Sequence, residues 1–94
     1  MIKSFRNEAA RAAWERRFVK GVPQDVSRIG NRKLMQLHNA HSLNDLRAPP
    51  GNHLEALSGR RKGQHSIRIN DQWRVCFVWD GGDAHRVEIV DYHS

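Results

Sequence analysis

The chain has 94 residues, enough for one compact domain and too few for two. Hydrophobic residues make up 38% and charged residues 28%, the balance of a folded domain rather than of a disordered or fibrous chain. Sixteen Lys and Arg against ten Asp and Glu give a formal net charge of +6, which favours nucleic acid or an acidic protein as partner.

Cysteine content and hydropathy bear on the compartment. Cys76 is the single cysteine, so an internal disulfide is impossible and a reducing cytoplasm fits the sequence. No stretch is apolar enough to span a membrane, and residues 1–6 lack the apolar run of a signal peptide. We therefore expect one cytoplasmic domain, residues 1–94, without membrane contact.

The N-terminal segment suits an edge strand followed by a helix. Residues 2–6 are short and half apolar, as edge strands often are. Asn7 is a favourable cap for a helix that would continue until Gly21. The apolar stripe of this helix is predicted to consist of Ala10, Trp14, Phe18 and Val19.

A second helix is predicted to follow the first. Pro23 and Asp25 suit its first turn, where the helix dipole favours an anion. Its core-facing stripe consists of Val26, Ile29, Leu34, Leu37 and Ala40. The two helices would pack as a hairpin, followed by a short helical turn at 42–46 and a loop at 47–52.

Beyond that loop the apolar period changes from 3.6 residues to 2, which is typical of strands. Alternating runs at 64–69, 73–79 and 86–90 are separated by turns at 70–71 and 80–83, and they predict an antiparallel meander with one buried face. The predicted fold class is therefore α+β, with two N-terminal helices packed on an antiparallel sheet of about four to five strands.

The apolar pattern also predicts the register of the first hairpin. If Asn70 and Asp71 formed the whole loop, Trp73 would share a face with Arg68 and the apolar faces would not match. A three-residue turn or a bulge instead aligns the apolar faces and brings Arg68 and Arg74 side by side on the opposite face. Two such arginines repel each other unless an anion lies over them.

The end of the last strand adds candidates for chemistry to this face. The same register brings Tyr92 toward the two arginines, with Asp91 and His93 beside it in sequence. Tyr and His transfer protons, and Arg holds phosphate, although a frayed, solvated terminus is the alternative. RNA cleavage needs such groups and no metal or cofactor, because the 2′-hydroxyl nucleophile belongs to the substrate.

Three strings of residues closely resemble the HigB toxins of the RelE superfamily, also called plasmid maintenance killer proteins. They are PGNHLEALSG at 50–59, GQHSIRINDQWRVCF at 63–77 and VEIVDYH at 87–93, and the resemblance extends to MIKSF at the N-terminus. It covers essentially the whole chain and implies a compact α+β fold and a ribosome-dependent endoribonuclease that cuts translated messenger RNA. It also implies a helix-turn-helix antitoxin, HigA, which would contact operator DNA on behalf of the complex.

The resemblance further implies which residues act. The positions that match the family's active-site residues are Arg74, Asp91, Tyr92 and His93. Arg68 is a further phosphate contact suggested by geometry. In one workable assignment Arg74 contacts the scissile phosphate and His93 is the acid or a positioning group. The base is then Tyr92 or Glu55.

The chain departs from some members of the family, which carry His and Lys where Glu55 and Ser58 stand. His53 is close by and could substitute or contact the RNA, or Glu55 could serve as the base. A catalytically weak or inert relative that acts mainly as an antitoxin-binding co-repressor is therefore the alternative function.

Other basic residues permit a further alternative. Arg60, Arg61 and Lys62 form a loop between strands, either a solvated turn or a contact with RNA phosphates. Arg28 and Arg32 on the second helix could contact ribosomal RNA or an acidic antitoxin. A non-catalytic nucleic-acid-binding module would use this basic surface alone.

Several conspicuous residues are interpreted as structural. The tryptophans lie in apolar periodicities and are expected in the core rather than under RNA bases: Trp14, Trp73 and Trp79. His38 and His41 have a metal-binding spacing but no third ligand in view. Cys76 is expected inside a strand and is not predicted to be a catalytic thiol.

Overall fold

A computed structural model describes residues 1–92. Two helices pack on one face of an antiparallel sheet in which the strands follow the order β1-β2-β3-β4. The elements are α1 Glu8–Trp14, α2 Gln24–Asn39, β1 Glu55–Ala56, β2 Gln64–Arg68, β3 Trp73–Asp80 and β4 Asp83–Asp91. Short 3-10 turns are present at Leu43–Leu46, Pro50–Asn52 and Gly59–Arg61. Within this range no helix is long and apolar enough to cross a membrane.

The first helix is capped as expected but is shorter than predicted. The Asn7 Oδ1 atom accepts a hydrogen bond of 3.0 Å from the Ala10 amide, which satisfies one of the free N–H groups of the first turn. The Asn7 side chain also donates to the Ile89 carbonyl at 2.9 Å and so ties the start of the helix to β4. Asn7 thus both caps the N-terminus of α1 and anchors it on the sheet.

The early end of α1 at Trp14 corrects the prediction that its apolar stripe continues through Phe18 and Val19. Arg16 adopts a left-handed conformation with φ 61°, and the Arg17 amide donates to the Ala12 carbonyl at 2.8 Å. This conformation and this hydrogen bond are those of a Schellman motif, which here ends the helix at a residue other than the expected glycine. Phe18 consequently lies outside the helix and is 51% exposed.

The apolar stripe of α2 is confirmed. Its most deeply buried members are Val26, Leu34 and Leu37. Gly30 lies where α2 crosses the sheet, and a Cβ atom there would lie 3.0 Å from Ile89 Cδ1 and 3.8 Å from Ala13 Cβ. The missing side chain at Gly30 therefore permits the close approach of α2 to both α1 and β4.

The predicted hairpin register is also confirmed. Ile67 pairs with Val75, and Arg68 pairs with Arg74, around the three-residue turn 70–72. The core lies between the helices and the sheet face that carries Ile67 and Val75, both fully buried. Because side chains alternate along a strand, Arg68 and Arg74 lie on the opposite face, which we call the open face.

The N-terminal segment forms less strand than predicted. It makes two isolated parallel bridges to β4, Ile2 with Ala84 and Phe5 with Val87, instead of a continuous ladder. Between these bridges β4 bulges at Arg86, where φ is 52°, and the register against β3 shifts. The bulge interrupts the regular spacing that a fifth strand would need. The described part of the chain thus has four named strands, the lower end of the predicted number.

Candidate functional site

The open face contains a pocket beside the two arginines. Its volume of about 620 Å³ falls within the roughly 300–1,000 Å³ typical of ligand sites. The residues that line it come from β1 and the loop before it, from β2, β3 and the turn between them, and from the residue after β4. They are His53, Leu54, Glu55, Arg68, Asn70, Asp71, Arg74 and Tyr92.

Arg74 is held at the centre of this pocket by three oxygen atoms. Its Nε donates to Ser66 Oγ at 2.8 Å and its Nη2 donates to the His53 carbonyl at 2.6 Å. The Nη1 atom lies 2.9 Å from Glu55 Oε1 in an ion pair, and the Arg74 side chain is 12% exposed. The guanidinium is therefore fixed in orientation before any ligand binds, which is the arrangement that phosphate recognition favours.

The loop that supplies the His53 carbonyl is anchored by the neighbouring Asn52. Asn52 is fully buried and donates to Gln36 Oε1 at 3.0 Å and to the Leu46 carbonyl at 3.1 Å. Its Oδ1 accepts a bond of 2.6 Å from Lys33 Nζ. The next residue, His53, adopts a left-handed conformation with φ 44°. This network connects α2 to the carbonyl that holds Arg74.

Tyr92 lies in the pocket, as the register argument predicts. Its amide donates to the Gln72 carbonyl at 2.6 Å, which continues β4 past its last paired residue. The Arg74 Cζ atom lies 6.0 Å from the centre of the Tyr92 ring, the outer limit of a cation–π contact. The phenol and the guanidinium thus face the same open space.

Arg68 and Arg74 stand side by side as predicted, and each has a carboxylate partner. Arg68 forms an ion pair with Asp71 in the adjacent turn, and Arg74 forms one with Glu55. The expected repulsion between the arginines is therefore relieved within the protein. An incoming phosphate would compete with these two exposed carboxylates for the guanidinium groups.

One predicted site residue, Asp91, lies outside the pocket. Asp91 pairs with Trp73 in the β3–β4 register, so its side chain lies on the face opposite Arg74 and Tyr92. There it accepts a hydrogen bond of 2.9 Å from Gln72 Nε2. The structure therefore does not bring Asp91 into the pocket. His93 lies outside the described residues.

The basic loop of Arg60, Arg61 and Lys62 lies farther along the sheet. Arg61 Nη2 is 3.5 Å from Glu88 Oε1, and its Nη1 donates to Gln64 Oε1 at 3.0 Å. Arg61 is thus engaged by β2 and β4 rather than by the pocket around Arg74. An RNA that contacts all of these residues would have to extend along the open face.

Ser66 holds Arg74, and Asn52 holds the loop beside it, and neither residue was predicted from the sequence. Ser66 is fully buried and is the partner of Arg74 Nε. Its signal in the sequence is its position two residues before Arg68, on the same side of a strand, because a small polar residue there can meet a cross-strand arginine. Asn52 lies in a loop without periodicity and gives no comparable signal.

The remaining candidates for chemistry are structural in character. Burial raises the pKa of Cys76 to about 11, so the thiol is protonated at neutral pH and is a poor nucleophile, as expected. His38 Nδ1 accepts from the Ile2 amide at 3.1 Å, and its ring packs on Trp14. Among residues 1–92 no group of three or more His, Cys, Asp or Glu side chains could hold a metal ion.

Comparisons with known proteins agree with this fold. A family model described as the RelE-like toxin of the type II toxin–antitoxin system HigB matches residues 3–93. The chain is 36% identical over 94 residues to the endoribonuclease HigB of Proteus vulgaris, which covers 99% of this chain and all of that protein. It is 44% identical over 63 residues to toxin HigB-1 of Vibrio cholerae, about two thirds of each chain.

A solved structure supports the fold at lower sequence similarity. In the YoeB–YefM complex from Staphylococcus aureus, a chain matches with a TM-score of 0.57 and 16% identity, covering 100% of this chain and 99% of that one. At this identity the similarity concerns the fold alone. Taken with the family model and the P. vulgaris relative, these findings establish that the chain belongs to the HigB family of RelE-like toxins of type II toxin–antitoxin systems.

Proposed function

We propose that this protein is an endoribonuclease that cuts messenger RNA during translation, with its active site in the pocket around Arg74. The observation that carries the proposal is the fixed Arg74 guanidinium, which faces the same space as Tyr92, Glu55 and Arg68. The relative named endoribonuclease HigB supports the activity. Dependence on the ribosome comes from the family resemblance, and the basic surface of the protein is compatible with it.

The two arginines would act on the scissile phosphate. When the RNA 2′-hydroxyl attacks the adjacent phosphorus, negative charge accumulates on the phosphate oxygens. A guanidinium that is already oriented stabilises this charge without reorganisation, and loss of one such donor typically costs about 10²–10³-fold in rate. Arg74 is the more constrained of the two arginines, because it donates hydrogen bonds to Ser66 and to the His53 carbonyl.

The proton transfers would use Glu55 or Tyr92 and His93. As phosphate displaces Glu55 from Arg74, the freed carboxylate becomes available to take the 2′-hydroxyl proton, and Tyr92 is the other candidate for this base. A bond forms from the 2′-oxygen to phosphorus while the bond to the 5′-oxygen breaks. The leaving oxygen takes a proton from an acid, for which the resemblance suggests His93. The products are a 2′,3′-cyclic phosphate and a 5′-hydroxyl, without a metal or cofactor.

We also propose a HigA-type helix-turn-helix antitoxin as the partner that neutralises the protein in the cytoplasm. The solved S. aureus structures that match the fold are toxin–antitoxin complexes. The net charge of +6 favours an acidic partner surface. Operator DNA would be contacted only through the antitoxin.

One contact favours a second candidate, a weak or inert toxin that acts as an antitoxin-binding co-repressor. The Glu55–Arg74 ion pair at 2.9 Å covers the arginine that catalysis needs, and some family members carry His at this position. This candidate predicts that the protein does not slow growth when it is made without its antitoxin. A Glu55→His variant that gains toxicity would support it further.

Expression in a bacterial host with mapping of RNA 5′ ends tests the proposed function. We expect the wild type to arrest growth and to produce new 5′ ends inside translated regions, while Tyr92→Phe and Arg74→Ala do neither. Arg47→Ala, a substitution at an exposed arginine outside the pocket, is the matched control and should behave as wild type. Healthy growth and intact messages in the wild-type culture would contradict the proposal in favour of the inert relative.

A further inference from the structure

A second groove adjoins the proposed active site. It has a volume of about 520 Å³ and lies between α2 and the β2–β3 turn, where Arg68 and Asn70 line both it and the pocket around Arg74. Its cationic side chains are Arg32, Lys33 and Arg68. None of the described residues that line it is acidic. A ligand could therefore pass from one site to the other along Arg68.

Positive charge is less compensated here than in the first pocket. Arg74 and Arg68 each have a carboxylate partner, whereas Lys33 bonds to the neutral Asn52 side chain at 2.6 Å. Partial burial lowers the pKa of Lys33, and the neighbouring charge of Arg32 lowers it further. The charges of Arg32 and Lys33 thus destabilise each other in the absence of a ligand, and a bound anion would relieve this repulsion.

The groove also has space beside Gly51 for the backbone of a ligand to approach. Gly51 forms part of its wall, and a Cβ atom added there would meet nothing within 4 Å. The adjacent Asn52 receives Lys33 and precedes the His53 carbonyl that holds Arg74. One loop therefore forms part of the wall of the groove and also orients Arg74 in the first pocket.

We propose that the groove formed by Arg32, Lys33 and Arg68 is a second phosphate site, which binds the backbone of the same RNA strand next to the scissile phosphate. The proposal rests on the proposed function, because it takes RNA as the ligand of the first pocket. Shared lining by Arg68, which is paired with Asp71, makes the two sites continuous. The groove adds Arg32 and Lys33, with no acidic residue in the described part of its lining, and these cations match the repeated charge of a single strand. The groove would hold the strand in register while Arg74 acts on one phosphate.

Substitution of Gly51 gives a direct test. Gly51→Asp places a negative charge in the groove without a steric clash, and Gly51→Asn adds a side chain of the same size without charge. Asn44→Asp, at an exposed position in another turn, makes a similar change in net charge outside the groove. The probe is a short fluorescent RNA with 2′-O-methyl groups, which block the nucleophile and prevent cleavage, and the affinity is measured by anisotropy over a range of salt concentrations.

We expect Gly51→Asp to weaken binding about five-fold at 0.1 M salt and to reduce the slope of log affinity against log salt by about 0.7, the loss of one phosphate contact. Gly51→Asn and Asn44→Asp should bind within about two-fold of the wild type. Wild-type binding by Gly51→Asp would overturn the proposal. An equal loss in Asn44→Asp would overturn it too, because net charge alone would then explain the effect. Weakened binding of the antitoxin, with RNA binding unchanged, would assign the groove to an acidic protein instead.

The growth and 5′-end assay separates this proposal from the proposed function. If the wild type cuts messages in cells but Gly51→Asp binds RNA normally, the groove proposal is wrong and the function stands. If Gly51→Asp loses RNA binding as expected but the wild type cuts no message in cells, the groove is an RNA site on a protein without the proposed activity.

Discussion

The two faces of the sheet differ in how their side chains are satisfied. On the core face, Ile67, Val75 and Ile89 are at most 2% exposed and contact other apolar side chains. On the open face, Arg68 and Arg74 are satisfied by carboxylates that solvent or a ligand can reach. The side chains of the first face have no accessible alternative partner, whereas under the proposed function a phosphate would replace Glu55 or Asp71 on the second.

This difference separates stability from chemistry within a single sheet. Strands β2 and β3 contribute to both faces, so alternate residues in the same strand should respond to substitution in opposite ways. Changes on the core face should lower the free energy of unfolding and affect cleavage only through loss of folded protein. Changes at the residues of the open face that line the pocket, such as Arg68 and Arg74, should lower cleavage in protein that remains folded.

The largest expected effect on stability is that of Phe77→Ala. Phe77 is fully buried in the core, and such a substitution typically costs about 3–5 kcal/mol, a large part of the roughly 5–15 kcal/mol of a small domain. Urea denaturation measures the change in the free energy of unfolding. Val78→Ala, at the partly exposed next position of β3, is the control and should cost much less. Equal losses in the two variants would remove the distinction between the faces.

The largest expected effect on activity is that of Arg74→Ala. Cleavage should fall about 10²–10³-fold because a fixed donor to the phosphate is lost. The free energy of unfolding should fall by only about 1–3 kcal/mol, since the buried Ser66 hydroxyl loses its partner. Single-turnover cleavage and urea denaturation of the same preparation give both numbers. A rate that changes only in proportion to the folded fraction would mean that Arg74 is structural.

A smaller effect is expected where α2 approaches the sheet. Gly30→Val should destabilise the protein by about 1–3 kcal/mol, because the added atoms meet Ile89 Cδ1, already 3.0 Å from a Cβ position. Thermal melting measures the change. Gly51→Val, where a Cβ meets nothing within 4 Å, is the matched control and should melt close to the wild type. A stable Gly30→Val variant would show that α2 can move away from β4.

At neutral pH the smallest expected effect is that of the Cys76 ionisation, which changes stability only at alkaline pH. Burial holds the pKa of this thiol at about 11, while an unfolded thiol ionises at about 8.5. The unfolded state therefore releases its proton first, and stability contributed by the protonated thiol is full below pH 8.5 and declines toward pH 11. Cys76→Ala should show a weaker decline in urea denaturation across this range and should cleave RNA normally. An identical decline in both proteins would contradict the assigned pKa.

The extent to which the sequence predicts this structure depends on periodicity. The α2 stripe and the β2–β3 register could be predicted because apolar residues recur at a fixed spacing on each element. The end of α1 could not, since Arg16 adopts the left-handed conformation that a glycine was expected to supply. The N-terminal segment does not form a full strand, because β4 bulges at Arg86 where the segment would pair with it. That bulge depends on tertiary pairing and so could not be predicted from the local sequence.

The candidate site was predicted in part for the same reason. Alternation along β3 and β4 places Arg74 and Tyr92 on one face and Asp91 on the other. Asp91 was a candidate because it is next to Tyr92 in sequence and because of the family resemblance, and neither reason specifies the face on which its side chain lies. The Glu55–Arg74 ion pair and the Asn52 network involve loop residues without any period. Their contacts depend on where the loop folds back over the sheet, which local sequence does not specify.

Cleavage of a translated message by wild type and Tyr92→Phe, in a reaction with purified ribosomes, tests the central claim most directly. The substitution removes one hydroxyl from a partly exposed residue, so the free energy of unfolding should change by no more than about 0.5 kcal/mol. We expect a loss of roughly 10²-fold or more in the rate of cleavage, the range for a group that transfers a proton. Equal rates for the two folded proteins would contradict it and would place the chemistry outside the open face.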